Sequence, residues 1–309
     1  MLKICVQSGN WYKENAPEDS LKFIHECRFD GIDYNIDNFL RPRKMLEGEV
    51  YPFYDQSIED ILEYYRPMKE ALLRNQVEVC QTHAPFPLYF EGREDINDYL
   101  IMVVDKTCAV CQYLGCPTLV VHPFTCPDKE KEKEINLQMY RKMMPSAKKY
   151  GVKLCLENMF TNYKGHIIEG ACADVSEACW YIDLLNAEAG AEIFGFCLDV
   201  GHANLMGRNI REYIKGLGRR LTILHIHENM GNKDSHLIPY TQDNPGGVDW
   251  DGFVEGLRDI GYTGTLSFET YHGVDLLPED VQQDGLKLIS AIGRSFRKKL
   301  AGQENRSRG

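Results

Sequence analysis

The chain has 309 residues, 43% hydrophobic and 26% charged, which is enough apolar material to bury the core of one large domain. Its 46 acidic against 35 basic residues leave a formal net charge of −11. That opposes non-specific attraction to nucleic acid, whose binding relies on Lys and Arg to neutralise phosphates, and makes a small molecule the expected partner.

No apolar run reaches the length of a membrane span, and Met1-Leu2-Lys3-Ile4 enters a strand pattern directly instead of a signal peptide, so no membrane partner and a cytoplasmic location are expected. Short β-rich runs then alternate with longer helical patterns. The strands are expected at residues 2–7, 31–36, 77–83, 118–122, 152–157, 195–199, 222–227 and 265–269. Amphipathic stretches at 57–74, 130–150 and 250–260 lie between them. Strands separated by helices pair in parallel through crossovers, and eight such units close into a (β/α)₈ barrel, an α/β fold in a single domain spanning residues 1–300. An open doubly wound sheet is the rival, but no Gly-rich dinucleotide fingerprint follows the first strand. Residues 301–309 are short, polar and aperiodic, and are expected to form a disordered tail. Gly31, Gly115, Gly151, Gly195 and Gly264 each stand close before a strand, where they are expected to cap the preceding helix.

Two connections are long for such a fold. Residues 35–56 contain Tyr51-Pro52-Phe53-Tyr54, and residues 228–248 are rich in Asp, Asn, Gly and Pro. Each is a candidate for covering a site, although the aromatic group serves equally as a local plug. The eleven cysteines are an odd number scattered through apolar segments, as reduced buried thiols would be. Cys108 and Cys111 make a C-x-x-C, but with no second pair nearby a core role outweighs a zinc site.

Chemistry gathers at the C-terminal ends of the expected strands, which form the catalytic face of a (β/α)₈ barrel. His83, His122, Glu157, Asp199, His225 and Glu269 all stand at or near such ends. Alternation along the strands puts Glu157 on one face with Cys155 and Lys153, Asp199 with Cys197, and Glu269 with Ser267 and Thr265, small or polar residues suited to a barrel interior. The seventh strand is less clean, because Leu221 and Ile223 share a parity with His225. Singly, each of these residues has a plain reading as a bonded scaffold histidine or a helix cap. Together, several carboxylates aimed into one mouth repel each other unless protons or a cation neutralise them. Mixed imidazole and carboxylate donors suit a divalent ion, with Mn²⁺ the first expectation, Zn²⁺, Co²⁺ or Fe²⁺ as options and Mg²⁺ less favoured as histidine content rises.

These residues lie in stretches that carry a resemblance: Thr82-His83-Ala84-Pro85-Phe86, Val121-His122-Pro123, Leu156-Glu157-Asn158, Leu198-Asp199-Val200-Gly201-His202, and His225-Ile226-His227-Glu228-Asn229. Asp234-Ser235-His236, Pro245-Gly246-Gly247-Val248-Asp249-Trp250 and Phe268-Glu269 continue the series. In their order and spacing they resemble the xylose-isomerase-like TIM barrel superfamily, which holds sugar phosphate isomerases and epimerases and, in a related branch, endonuclease IV-type AP endonucleases. The resemblance covers about residues 80–270. It implies one metal held by Glu157, Asp199, His225 and Glu269, with His202 touching substrate. It also implies that the nine ligand positions of a trinuclear-zinc endonuclease are filled, by His83, His122, His202, Asp234 and His236 beside those four. Glu228 stands where many sugar-branch relatives have Asp, and the arginine that ketose epimerases place soon after the seventh strand has Gly231 and Lys233 in its neighbourhood.

The expected activity is a metal-dependent sugar or sugar-phosphate isomerase or epimerase that removes a proton beside a carbonyl, with Glu157 and Glu269 as the catalytic pair. His202, His83, His122, His227, His236 and Lys233 are expected around the substrate, and Trp11 and Phe86 as walls. The alternatives are the AP endonuclease and a lyase or dehydratase acting on an inositol-like or glycosidic ketone. The expected partner is a small carbohydrate, with self-association left open.

Overall fold

The apolar strands assemble as their patterning requires in the computed structural model, which describes residues 2–243 and 245–302, apart from the side chains of Asp37 and Asn38. The barrel strands are β1 (Ile4–Gln7), β2 (Gly31–Asn35), β3 (Glu78–His83), β4 (Thr118–Val121), β5 (Lys153–Glu157), β8 (Phe194–Asp199), β9 (Leu221–His225) and β10 (Leu266–Phe268). They pair in parallel in the order β10-β1-β2-β3-β4-β5-β8-β9. Ile226 bridges to Phe268, its N–H donating to the Ser267 carbonyl at 2.8 Å, which closes the ring into a single-domain TIM barrel. The strands not in the ring, β6 (Phe160–Tyr163) and β7 (His166–Glu169), form an antiparallel hairpin after β5 that the sequence pattern did not reveal.

Helices cover the outside. They are α1 (Pro17–Glu26), α2 (Pro42–Met45), α3 (Ile58–Tyr64), α4 (Arg66–Asn75), α5 (Glu94–Leu114), α6 (Lys129–Tyr150), α7 (Val175–Ala189), α8 (Val200–Leu205), α9 (Ile210–Leu217), α10 (Trp250–Asp259), α11 (Tyr271–Asp275) and α12 (Gln282–Leu300). The stretch expected as one helix over 57–74 is two. Ser57 caps α3 by accepting from the Asp60 N–H, and a new helix starts at Arg66-Pro67, where proline lacks the N–H that would continue the first. Gly115 and Gly151 do end helices, in the left-handed conformation with φ of 76° and 65°. Gly31, Gly195 and Gly264 do not: they permit close approach of neighbouring strands, as at Gly195, where a Cβ would meet Thr222 Oγ1 at 2.1 Å.

The awkward parity of the seventh strand, here β9, resolves in the register. Phe196 pairs with Leu221 but Cys197 pairs with Ile223, so Thr222 is an extra residue. The bulge sends Leu221 to the main core while Ile223 turns inward, joining Val120, Cys155 and Cys197 in a small apolar cluster inside the barrel. A matching irregularity on β3 sets Ile32 opposite Val79 and Asp33 opposite Gln81. Cys108 and Cys111 are buried on α5 within the main core. Ala301 and Gly302 follow α12 as a turn, and the rest of the expected tail lies outside the described residues. Among the described residues, no helix is long and apolar enough to cross a membrane.

Candidate metal centre

Four strand ends converge on one imidazole. His225 Nδ1, at the end of β9, lies 3.2 Å from Glu157 Oε1, 3.7 Å from Glu269 Oε2 and 3.9 Å from Asp199 Oδ2. Its Nε2 faces the other way, 2.9 Å from His83 Nε2 and 3.4 Å from Asp33 Oδ2. His122 Nε2 is 3.0 Å from Glu157 Oε2, a distance for an ion pair but without the alignment of a hydrogen bond. All these residues except His122 are buried.

A second group adjoins the first across Asp199. His227 Nε2 lies 3.0 and 3.1 Å from the two Asp199 oxygens. His236 Nε2 is 3.0 Å and His202 Nε2 3.4 Å from Asp234 Oδ2. The His227 and His236 rings stack with centroids 4.0 Å apart.

The local sequence explains this placement. Asp199 ends β8 and also caps α8, accepting from the His202 N–H at 2.6 Å, so the capping and site roles coincide. Asn158, after Glu157, pins the end of β8: its amide donates to the Asp199 carbonyl and accepts from the Asp199 N–H, at 2.8 and 2.9 Å. Gly201 is required because a Cβ there would stand 1.9 Å from His227 Cε1. Glu228 turns away from the site. It accepts from Trp250 Nε1 at 2.6 Å and from the Val248 N–H at 2.7 Å, and so fastens the 228–248 connection that carries Asp234 and His236. The longer glutamate therefore holds a loop.

Charge alternates through the cluster. Burial works against ionisation of Asp33, Glu157, Asp199 and Asp234, yet neighbouring imidazoles hold all four below the usual carboxylate range. Burial also works against charging the histidines, and the carboxylates overcome it. His202 rises to about 10 and His236 to about 9, while His83 and His225 are raised too. Protons on His202 and His236 supply positive charge beside the carboxylates that a bound cation would otherwise supply.

The donor set fits a divalent ion. Ligand-type atoms of Glu157, Asp199 and His225 lie within 4.8 Å of one another, as do those of Asp33, His83, His225 and Glu269, and those of His227, Asp234 and His236. Glu157 Oε2 is buried without a hydrogen-bond partner among the described residues, a costly state that coordination relieves.

A cavity of about 650 Å³ opens onto the cluster, lined by His83, His122, Glu157, His202, His236 and Glu269 among others. Phe86 lines it, its ring 4.6 Å from that of His122. Three expectations for the substrate's surroundings need correction. His227 is fully buried behind Asp199 and orients that carboxylate, so it has no surface for substrate. Lys233 is exposed and does not line the cavity, to which the same connection contributes Asp234 and His236. Trp11 packs on Phe23 and lines a neighbouring groove instead.

Sequence reasoning missed Asp33, whose signal was available: an acid at an interior position of β2, with the same parity as Gly31 and Asn35. It also missed Arg43, which α2 brings to the cavity with its guanidinium 5.8 Å from the Phe86 ring centre. No sequence signal marked that residue. The 35–56 connection thus does both things weighed for it: Arg43 lines the cavity while Phe39 and Phe53 stack 4.1 Å apart in an aromatic plug.

The family model described as xylose isomerase-like TIM barrel matches residues 21–292. Inosose isomerase from Bacillus velezensis is 24% identical over 277 residues, covering 87% of this chain and 89% of the relative. Among solved structures, a D-tagatose 3-epimerase-like protein superposes with a TM-score of 0.66 at 21% identity, covering 95% of this chain and 99% of its own. An IOLI protein with a binding zinc atom gives 0.65 at 19% identity, covering 98% and 99%.

Proposed function

Since the chain belongs to the xylose isomerase-like TIM barrel family, we propose that it is a divalent-metal-dependent sugar isomerase or epimerase working by proton transfer beside a carbonyl. The observation that carries this reading is His225 Nδ1 set within 4 Å of three carboxylates at the ends of three different strands. Glu157, Asp199, His225 and Glu269 are the residues to hold the ion, with Mn²⁺ the first choice for this mixed donor set. When bound, the ion supplies Lewis acidity at a substrate carbonyl and its neighbouring hydroxyl.

The chain's own groups do the rest. Glu157 on β5 and Glu269 after β10 stand on separated staves of the ring and both line the cavity. Glu157, held ionised, takes the proton from the carbon beside the carbonyl, and Glu269 returns one from another direction. Each has an imidazole at its flank, His122 3.0 Å from Glu157 and His83 3.5 Å from Glu269, to hold or pass on a proton. His202 and His236, at the cavity wall, orient hydroxyls.

The inosose isomerase relative supports an isomerisation or epimerisation on a polyhydroxy ketone. A second reading, a trinuclear-zinc endonuclease at abasic DNA, is favoured by one observation: Asp234 joined to His202 and His236 beyond the four-residue centre. The net charge of −11 weighs against a DNA substrate. The test is elemental analysis of purified protein with an NMR screen of ketoses before and after chelation. One ion per chain and chelator-sensitive conversion support the isomerase; three zincs and no sugar conversion overturn it.

A further inference from the structure

Beside the central cavity lies a second groove of about 510 Å³, and Asn10 lines both. Asn10 is anchored, its amide donating to both oxygens of Asp275 at 2.9 and 2.8 Å, so the junction between the two spaces is held in place. The groove presents Trp11 and Phe23, with ring centroids 6.4 Å apart and planes inclined by 31°. Around these rings stand Lys13, Asp19 and Glu279. Among the described residues, none of these three charged side chains has an ion pair or a side-chain hydrogen bond. Glu157 and Glu269 of the proposed centre line the central cavity, whereas no residue of that centre lines this groove.

An aromatic surface bordered by hydrogen-bonding groups matches a pyranose ring, which offers an apolar C–H face and a rim of hydroxyls. A rim with charges of both signs suits a neutral polyhydroxy group better than an anion, and a rim this polar suits it better than a bare aryl ring. On the reading that the central cavity takes the reacting sugar, we propose that the Trp11 groove is a subsite for a second pyranosyl ring joined to it. The substrate is then a glycoside of disaccharide size, with Asn10 at the passage between the two rings.

The experiment is isothermal titration of the Mn²⁺-loaded full-length protein with glucose, cellobiose, maltose, lactose and 4-nitrophenyl β-D-glucopyranoside. At least one disaccharide should bind about tenfold more tightly than glucose, a factor in keeping with one aromatic contact. Trp11→Ala should remove that advantage and Trp11→Phe keep most of it. Glu279→Ala, which removes no ion pair or side-chain hydrogen bond found among the described residues, should weaken the disaccharide about threefold and leave glucose unchanged. Equal affinities for all four sugars, or a disaccharide preference that survives Trp11→Ala, overturn the proposal. So does a Trp11-dependent preference confined to the nitrophenyl glucoside. A protein that shows the Trp11-dependent preference yet converts no sugar refutes the isomerase and keeps the subsite. One that isomerises free ketoses without the preference does the reverse.

Discussion

The Nε2 atoms of His83 and His225 face each other at 2.9 Å, with Asp33 Oδ2 3.1 Å from the first and 3.4 Å from the second. Gln81 Nε2 donates to the same Asp33 oxygen at 2.7 Å, so the carboxylate is itself held. Asp33 thereby fixes which way the His225 ring points, presenting Nδ1 to Glu157, Asp199 and Glu269. Carboxylates that orient a ligating imidazole in this way typically matter by roughly 10–100-fold in metal affinity. Asp33→Asn should weaken Mn²⁺ binding by about that factor while leaving the fold intact, as measured by competition with a chelator of known affinity. Unchanged affinity would show that Asp33 does not position His225.

Glu157→Gln and Asp199→Asn each remove a negative donor from the proposed centre, and elemental analysis should find both proteins depleted of metal after dialysis. His25, His166 and His272 serve as controls, since none belongs to the ligand-type groups found among the described residues. Full occupancy in both acidic variants would mean the proposed ligand set is wrong.

Much of this centre was legible because strand ends in a barrel converge whatever their distance in sequence. His83, His122, Glu157, Asp199, His225 and Glu269 needed only strand parity and the catalytic-face rule. What was not legible depends on geometry that parity does not carry. The extra residue at Thr222 separates Leu221 from Ile223, so alternation misleads along β9. Arg43 reaches the cavity by the path of a connection, and the β6–β7 hairpin that adds Phe160, Thr161 and Asn162 to the cavity wall is too short to stand out in sequence. His227 was expected around the substrate, but its position behind Asp199 goes with the close approach of Gly201, which strand alternation does not reveal.

Gly201→Ala tests that approach. A methyl group 1.9 Å from His227 Cε1 must displace the ring or the start of α8. Overpacking of this kind costs roughly 1–3 kcal/mol, and the melting temperature should fall accordingly. Because His227 orients Asp199, Mn²⁺ affinity should fall as well. A variant with wild-type melting and metal affinity would contradict the packing described.

The metal-free protein should show a bell-shaped stability profile with pH. His202 and His236, raised to about 10 and about 9 against the pull of burial, add stability that is fully present below their unfolded value near 6.5. That contribution is lost as pH rises toward 9 and 10. The depressed carboxylates Asp33, Glu157, Asp199 and Asp234 add stability above their unfolded values near 4, and it is lost as pH falls below them. The melting temperature should therefore peak between roughly pH 4.5 and 6.5. Mn²⁺, which competes with a proton for the raised His225 imidazole, should stabilise most on the alkaline side. Melting curves from pH 4 to 9 with and without Mn²⁺ check this; a metal-free profile that stays level from pH 6 to 9 would contradict it.

The central claim is proton transfer between substrate carbon and the carboxylates Glu157 and Glu269, and solvent isotope incorporation tests it most directly. A ketose converted by the Mn²⁺-loaded protein in D₂O should carry deuterium at the carbon beside the carbonyl on nearly every turnover, because the arriving proton comes from a different group than the one that took the first. Product formed at full rate with no deuterium at that carbon would mean that hydrogen moves internally as hydride, and would contradict the account.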